Sequence, residues 1–333
     1  VVTAGMAALC LAAVLLTVLW FLRRPLALLL LGVTLAAALA PVVRWLERWL
    51  PRNLATLSVY LVLAITLVGI GLLIVPMLVT QAEELINLAP QLADEAEKWM
   101  RRRLPLRDGQ LLDQALSQVT TVASTVVSLP VQISSSLLEI VLVALLSFYA
   151  LLLAPDAHQL LLRLFPPEQH AEVDETSQAV ANAMGGYVRG VAISGLVIGV
   201  IGYLGLLIIG VNFALVLAIS AGFLEFIPYV GPFIAGALIV VVAFIQSPNS
   251  AWIALVFVIL LQQLEGAIIA PNVMHPQTHI SRLATVFVIF AGGSVGGVLG
   301  ALVAIPLYAG LRVIVGRVIL PAVSRSDPSQ AGA

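Results

Sequence analysis

The sequence predicts an all-α fold: a polytopic helical membrane protein of about eight membrane segments, with two Gly/Pro-broken hairpins and an amphipathic helical excursion. Three observations carry this. Of 333 residues, 61% are hydrophobic and 10% charged, and the mean hydropathy is +1.10. Apolar runs close to the length of a bilayer crossing recur along the chain. Two of the runs exceed one crossing and are interrupted by glycine and proline.

Taken in order, the apolar runs cover 4–22, 25–43, 54–78, 131–154, 187–210, 213–246, 251–270 and 283–320. The first five and the 251–270 run each suit one helix at a rise of about 1.5 Å per residue. The first has no basic leader or polar cleavage region, so it is read as a retained helix. It holds the single cysteine, Cys10, which excludes an internal disulfide. The runs 213–246 and 283–320 are broken by PYVGP and by GGSVGGVLG and are read as hairpins of short or re-entrant helices. Between 79 and 130 the pattern changes. Leu85, Leu88, Leu92, Ala96 and Trp99 recur at helical spacing among Glu83, Glu84, Asp94, Glu95 and Glu97, and a second stripe runs from Leu112 to Val126. Residues 155–186 read as a polar connection. The chain thus divides into N-terminal membrane helices (1–78), an extramembrane amphipathic segment (79–130), a membrane core (131–321) and a polar tail (322–333).

Basic residues near membrane ends orient such a chain. Arg44, Arg48, Arg52, Arg163, Arg189, Arg282, Arg317 and Arg325 fall on one side if both termini are cytoplasmic, opposed by Arg23 and Arg24 in a short loop.

The stretch GFLEFIPYVGPFIAG, residues 222–236, concentrates the chemistry. Pro228 and Pro232 each remove an amide donor, so a helix arriving from Phe213 stops near Ile227 with carbonyls unpaired. In a bilayer such groups are tolerated only inside protein or along a wet cavity. Glu225 falls in the last turn, and a central acid costs roughly 2.5–3.5 kcal/mol on insertion scales. Protonation, a basic partner or a bound cation would relieve it. The second half-helix begins near Pro232, and opposed half-helix ends are how many secondary transporters build ion sites. A kinked hairpin with Glu225 reaching an interface is the plainer reading. In LQQLEGAIIAPN, Gln262 and Glu265 share a helical face, and Pro271 with Asn272 ends the helix. Glutamine can also simply join membrane helices. The glycines of 186–199 and 292–300 permit close helix packing.

YVRG (187–190), EFIPYVGP (225–232), QQLEG followed by Pro-Asn (262–272) and GGSVGGVLGALVAIPL (292–307) occur in the order found in the AI-2E (autoinducer-2 exporter) family, which the chain resembles over nearly its whole length. The family often has glutamine where this chain has Val191, and His-Pro or Ser-Pro where it has Ser281-Arg282. The resemblance implies about eight membrane segments, a homo-oligomer in a bacterial inner membrane, and transport. The cargo would be a small polar solute, an autoinducer-2-like signal, or a monovalent cation or proton. Glu225 and Glu265 would handle protons or cations, Gln262 and Asn272 would add neutral contacts, and Pro228, Tyr229, Gly231 and Pro232 would supply backbone contacts and flexibility. No cofactor, metal or nucleic acid is implied.

The rival classes are weaker. Gly292–Gly296 matches G-x-S-x-G, but the histidines His158, His170, His275 and His279 all fall in expected loops, and a serine nucleophile needs a base in reach. His275 and His279 are separated by Pro276 without an accompanying acid. No P-loop motif is present. A passive oligomeric channel or a scaffold without turnover are the closer alternatives.

Overall fold

The computed structural model describes residues 2–103, 117, 121, 124, 128, 138–227, 230–273 and 282–319. Every regular element among them is helical. In chain order they are α1 (Val2–Leu46), α2 (Arg52–Arg103), α3 (Leu138–Leu152), α4 (Ala154–Arg163), α5 (His170–Ile209), α6 (Ala214–Leu224), α7 (Val230–Gln246), α8 (Pro248–Leu264), α9 (Ala270–Val273) and α10 (Arg282–Ile314). A single π-helical turn, Glu265–Ile269, joins α8 to α9, and another, Val315–Ile319, follows α10. Among the described residues, five helices are long and apolar enough to cross a membrane, or six if the bent pair α3–α4 is one span. Shorter apolar helices at Ala214–Leu224, Gly231–Phe244 and Leu283–Gly297 make up the rest.

The helices gather into two compact units. The first holds α1, the opening of α2 to Tyr60, α3, α4, α5 to Val188, and α10. Here the structure corrects the reading of two early crossings with a loop at Arg23-Arg24. α1 passes through both arginines and through Pro25 and Pro41 without reversing. The charges are met on the helix: Arg24 pairs with Glu139 of α3, and Arg23 donates to the Val295 carbonyl at 3.4 Å. Merging the two runs also removes the reversal on which a cytoplasmic N-terminus depended. α1 packs on the start of α2 and the end of α3 through a core of Ala36, Val43, Ala55 and Leu151, and meets α5 where Gly185 lies against the Ala37 backbone. At the α1–α2 turn Arg52 donates to the Leu151 carbonyl at 2.7 Å and pairs with Glu47 at 3.0 Å.

α10 is a hairpin, as the glycine pattern predicts. Gly297 has φ 61°, where a side chain would be strained, and the chain turns there. A methyl on Gly292 would sit 2.5 Å from the Gly300 carbonyl oxygen and 2.6 Å from Ala304 Cβ. Residues eight apart along a straight helix would be separated by about 12 Å.

The polar stretches differ from expectation in continuity for the excursion and in helicity for the connection. α2 continues past residue 78 to Arg103 with no break. Most of the 155–186 connection is also helix, because acids at its N-terminus (Glu168, Glu172) and an Asp174–Gln178 bond at 2.8 Å support the first turns of α5. The second stripe of the excursion and the C-terminal tail lie largely or wholly outside the described residues.

The second unit holds the rest of α2, α5 from Arg189, and α6 to α9. Its core is apolar and centred on Leu206, Leu217, Ile239, Ala243 and Ala254. α5 ends at a turn with Gly210 at φ 78° and Phe213 at φ 60°, from which α6 returns. α7 comes back to the level of that turn: Gln246 accepts from Asn212 N–H at 2.9 Å and donates to the Gly210 carbonyl at 2.7 Å. The 213–246 run is therefore a hairpin of two helices whose mouth is closed by one amide side chain. Ser247 caps α8, accepting from Ser250 N–H at 3.0 Å, with Pro248 at its first position.

Candidate functional site

The site lies at the tip of the α6–α7 hairpin. α6 runs antiparallel to α5 with two glycines back to back: a methyl on Gly222 would meet the Gly195 oxygen at 2.6 Å, and one on Gly195 the Gly222 oxygen at 2.5 Å. Nothing larger than hydrogen fits, so the helices touch along their backbones. This contact sets the depth of Glu225, which caps α6 one turn later beside Gly195. Gly195 is fourteen residues before Ile209, or about 21 Å down α5 from the hairpin mouth.

The chain leaves α6 through tight turns, Phe226 N–H to Phe223 oxygen at 3.2 Å and Ile227 N–H to Leu224 oxygen at 2.9 Å. Gly231 N–H then bonds the Ile227 oxygen at 2.8 Å, and its α-carbon lies against the Leu224 carbonyl so closely that a methyl could not be placed. The break is thus stitched by short-range bonds rather than left open. Pro228 and Tyr229 lie outside the described residues.

α8 supplies the facing side chains. Gln262 donates to the Pro232 carbonyl at 3.4 Å, bridging to the first turn of α7. Gly236 leaves it room: a methyl there would meet Val258 Cγ1 at 2.7 Å and Gln262 Nε2 at 3.2 Å. One turn beyond Gln262, Glu265 opens the π-helical turn, and such turns re-aim side chains where a regular helix would not. The result is a carboxyl pair. Glu225 and Glu265 come together there, and both line one cavity with Gln262 and Pro232. Glu225 is only 7% exposed. The remaining walls include Ile198, Ala221, Ile239, Val258 and Leu261, all apolar. The free space fits about one water molecule or a bare monovalent cation.

Chemically, two ionised carboxylates in one apolar cavity repel each other and lose their hydration, so the pair calls for one proton or cation between them. Two acids and an amide side chain converge where one positive charge can be held, as a proton or as a small cation in its place.

Of the other residues singled out from the sequence, Asn272 is exposed and donates to the Ile268 carbonyl at 2.7 Å on its own helix, away from the cavity. The helix does not end at Pro271 but continues to Val273. Pro271 falls two residues after the π-helical turn that ends at Ile269. Ser294 of the G-x-S-x-G match donates to the Ala291 carbonyl at 2.8 Å. His275 and His279 lie outside the described residues. Among the described residues no three His, Cys, Asp or Glu side chains come together. Sequence reasoning missed Gly222, Gly236 and Gln246. The two glycines bracket the stretch that drew attention, and Gln246 is the polar residue that closes an apolar run.

Fold and site together define a multi-pass helical membrane protein in which a broken hairpin and the helix after it bring two acids to one cavity. The model of the AI-2E family transporter matches residues 9–319, and the chain belongs to that family. It is 29% identical over 291 residues to "Putative transport protein YueF" of Bacillus subtilis, covering 81% of this chain and 77% of the relative. It is 30% identical over 290 residues to "Putative transport protein MT0215" of Mycobacterium tuberculosis, covering 84% and 79%. It is 27% identical over 315 residues to "Putative permease PerM" of Escherichia coli, covering 90% and 88%.

Proposed function

We propose that this protein is a secondary transporter of a bacterial inner membrane, and that the Glu225–Glu265 pair is its coupling site. One observation carries the reading: two acids from separate helices meet in an apolar cavity at the tip of a broken hairpin, about 21 Å from its mouth. Unpaired acids there would be costly, and a pure scaffold gains nothing by placing two together. A pair that must hold one positive charge can exchange a proton for a cation, or release it as the hairpin moves. The coupled species is then a proton or sodium, and the cargo a cation or small polar solute. The family and the names of the relatives support membrane transport as the setting. We place the α1–α2 turn, with Arg44, Arg48 and Arg52, on the cytoplasmic side by its density of basic residues. A homo-oligomer in the bilayer completes the proposal.

The test is solute and cation flux in proteoliposomes under imposed pH and sodium gradients. Glu225→Gln and Glu265→Gln are expected to reduce gradient-driven flux by about tenfold or more, equivalent to about 1.4 kcal/mol of lost ion binding. Unchanged gradient-driven flux in both folded variants would remove the pair from the mechanism. Flux that persists without any response to either gradient would favour the channel.

A further inference from the structure

We propose that α4 is an interfacial helix and that, with the α1–α2 turn, it forms a docking surface for anionic phospholipid headgroups. Nothing in this depends on the transport reading. α3 and α4 meet at a bend of 61°, with Pro155 in the first turn of α4, so α4 leaves the line of the membrane span. No residue of α4 is buried. Its rotation is nevertheless fixed, because His158 Nε2 lies 3.0 Å from Asp174 Oδ1 of α5. Leu153, Ala157, Leu160 and Leu164 recur at steps of four, three and four, on the side away from His158 and Leu162. That face is open: Leu160 is 62% and Leu164 73% exposed.

The α1–α2 turn presents the same mixture. Trp45 is 59% and Trp49 79% exposed, one turn apart, and exposed Arg44 and Arg48 stand beside them. Arg52 ties this turn to the Leu151 carbonyl, two residues before the bend, so the turn and the start of α4 lie at one level. Glu47 is occupied by Arg52, and Asp156 belongs to the first turn of α4, where the helix dipole favours an acid. Exposed Arg163 adds a third cation. Tryptophans at headgroup depth, an apolar helical face and arginines without acids opposite them match the boundary of an anionic leaflet. A partner in water would have to cover open leucine and tryptophan.

The experiment uses the full chain with Cys10→Ala, reconstituted in equimolar phosphatidylglycerol and phosphatidylcholine. Nitroxides at Leu160→Cys and Leu164→Cys are expected to be accessible to oxygen and shielded from an aqueous nickel chelate. Brominated phosphatidylglycerol should quench Trp45 and Trp49, isolated by difference from Trp45→Phe/Trp49→Phe, more than brominated phosphatidylcholine does. About fivefold enrichment is the effect of one interfacial cation. Arg44→Gln/Arg48→Gln/Arg163→Gln should abolish the preference while leaving the nitroxide depths unchanged. Free access of the nickel chelate, or spin coupling between copies, would overturn the interfacial helix. Equal quenching by the two lipids would overturn the headgroup site.

Discussion

At the scale of single residues, the site depends on positions that carry no chemistry of their own. Gly231 is the clearest. Its α-carbon is pressed on the Leu224 carbonyl where the chain doubles back, and its N–H bonds the Ile227 oxygen. A methyl at Gly231 would force the break open against backbone, which cannot move aside like a flexible side chain. Gly231→Ala is therefore expected to destabilise the folded protein by about 1–3 kcal/mol, as overpacking does. The drop should appear as a lower melting temperature in detergent, and gradient-driven flux should fall with it because the hairpin tip carries Glu225. A melting temperature unchanged from the parent would show that the tight approach is not a constraint. The acid pair itself was half legible. Glu225 and Glu265 each stood out as acids in greasy sequence, and the spacing of Gln262 and Glu265 gave one face. That the two acids meet was not legible, because pairing across a hairpin and a neighbouring helix has no one-dimensional signature.

At the scale of elements, apolar patterning and Gly/Pro punctuation located both hairpins, since a break in hydrocarbon demands special residues. The same rules misread the start of the chain. Arg23-Arg24-Pro25 looks like punctuation, yet Glu139 and the Val295 carbonyl meet the charges, and the helix runs on. The π-helical turn at Glu265 was also invisible, because an inserted residue leaves no mark in periodicity when the stretch that follows, residues 266–270, is apolar on every side. The α6–α7 hairpin yields a prediction at this level. Its mouth is held by the Gln246 side chain, which makes two hydrogen bonds to the α5–α6 turn. Gln246→Ala removes both and leaves the Asn212 N–H and Gly210 carbonyl to find water, at a cost of about 1–3 kcal/mol. Hydrogen exchange should then quicken at residues 210–213 and in the last turn of α7, while the deep packing of Gly195 on Gly222 keeps the tip protected. Exchange that quickens equally at the tip would mean the hairpin moves as one body.

At the scale of the whole molecule, some helices are longer than a membrane can hold. α2 has 52 residues, about 78 Å at the usual rise, against a hydrocarbon core of about 30 Å. Its composition changes without a break in the backbone. Val62 and Ile65 are 63% exposed and apolar, as lipid contact requires, whereas Glu83 and Asn87 are exposed and polar. The sequence places a boundary near residue 79 because the solvent changes there, but the chain has no reason to stop its helix, since lipid and water both allow one. From Val62 to Glu83 is 21 residues, or about 31 Å along the axis, enough to leave the hydrocarbon. In a Cys10→Ala background, Glu83→Cys and Asn87→Cys should react with a membrane-impermeant maleimide in sealed vesicles of one orientation. Val62→Cys and Ile65→Cys should stay unreactive until detergent is added. Protection of Glu83→Cys and Asn87→Cys from the reagent on both sides would bring the acidic half of α2 into the protein or the bilayer. Its charges would then need partners, and the polar excursion would have to be read as part of the transport path.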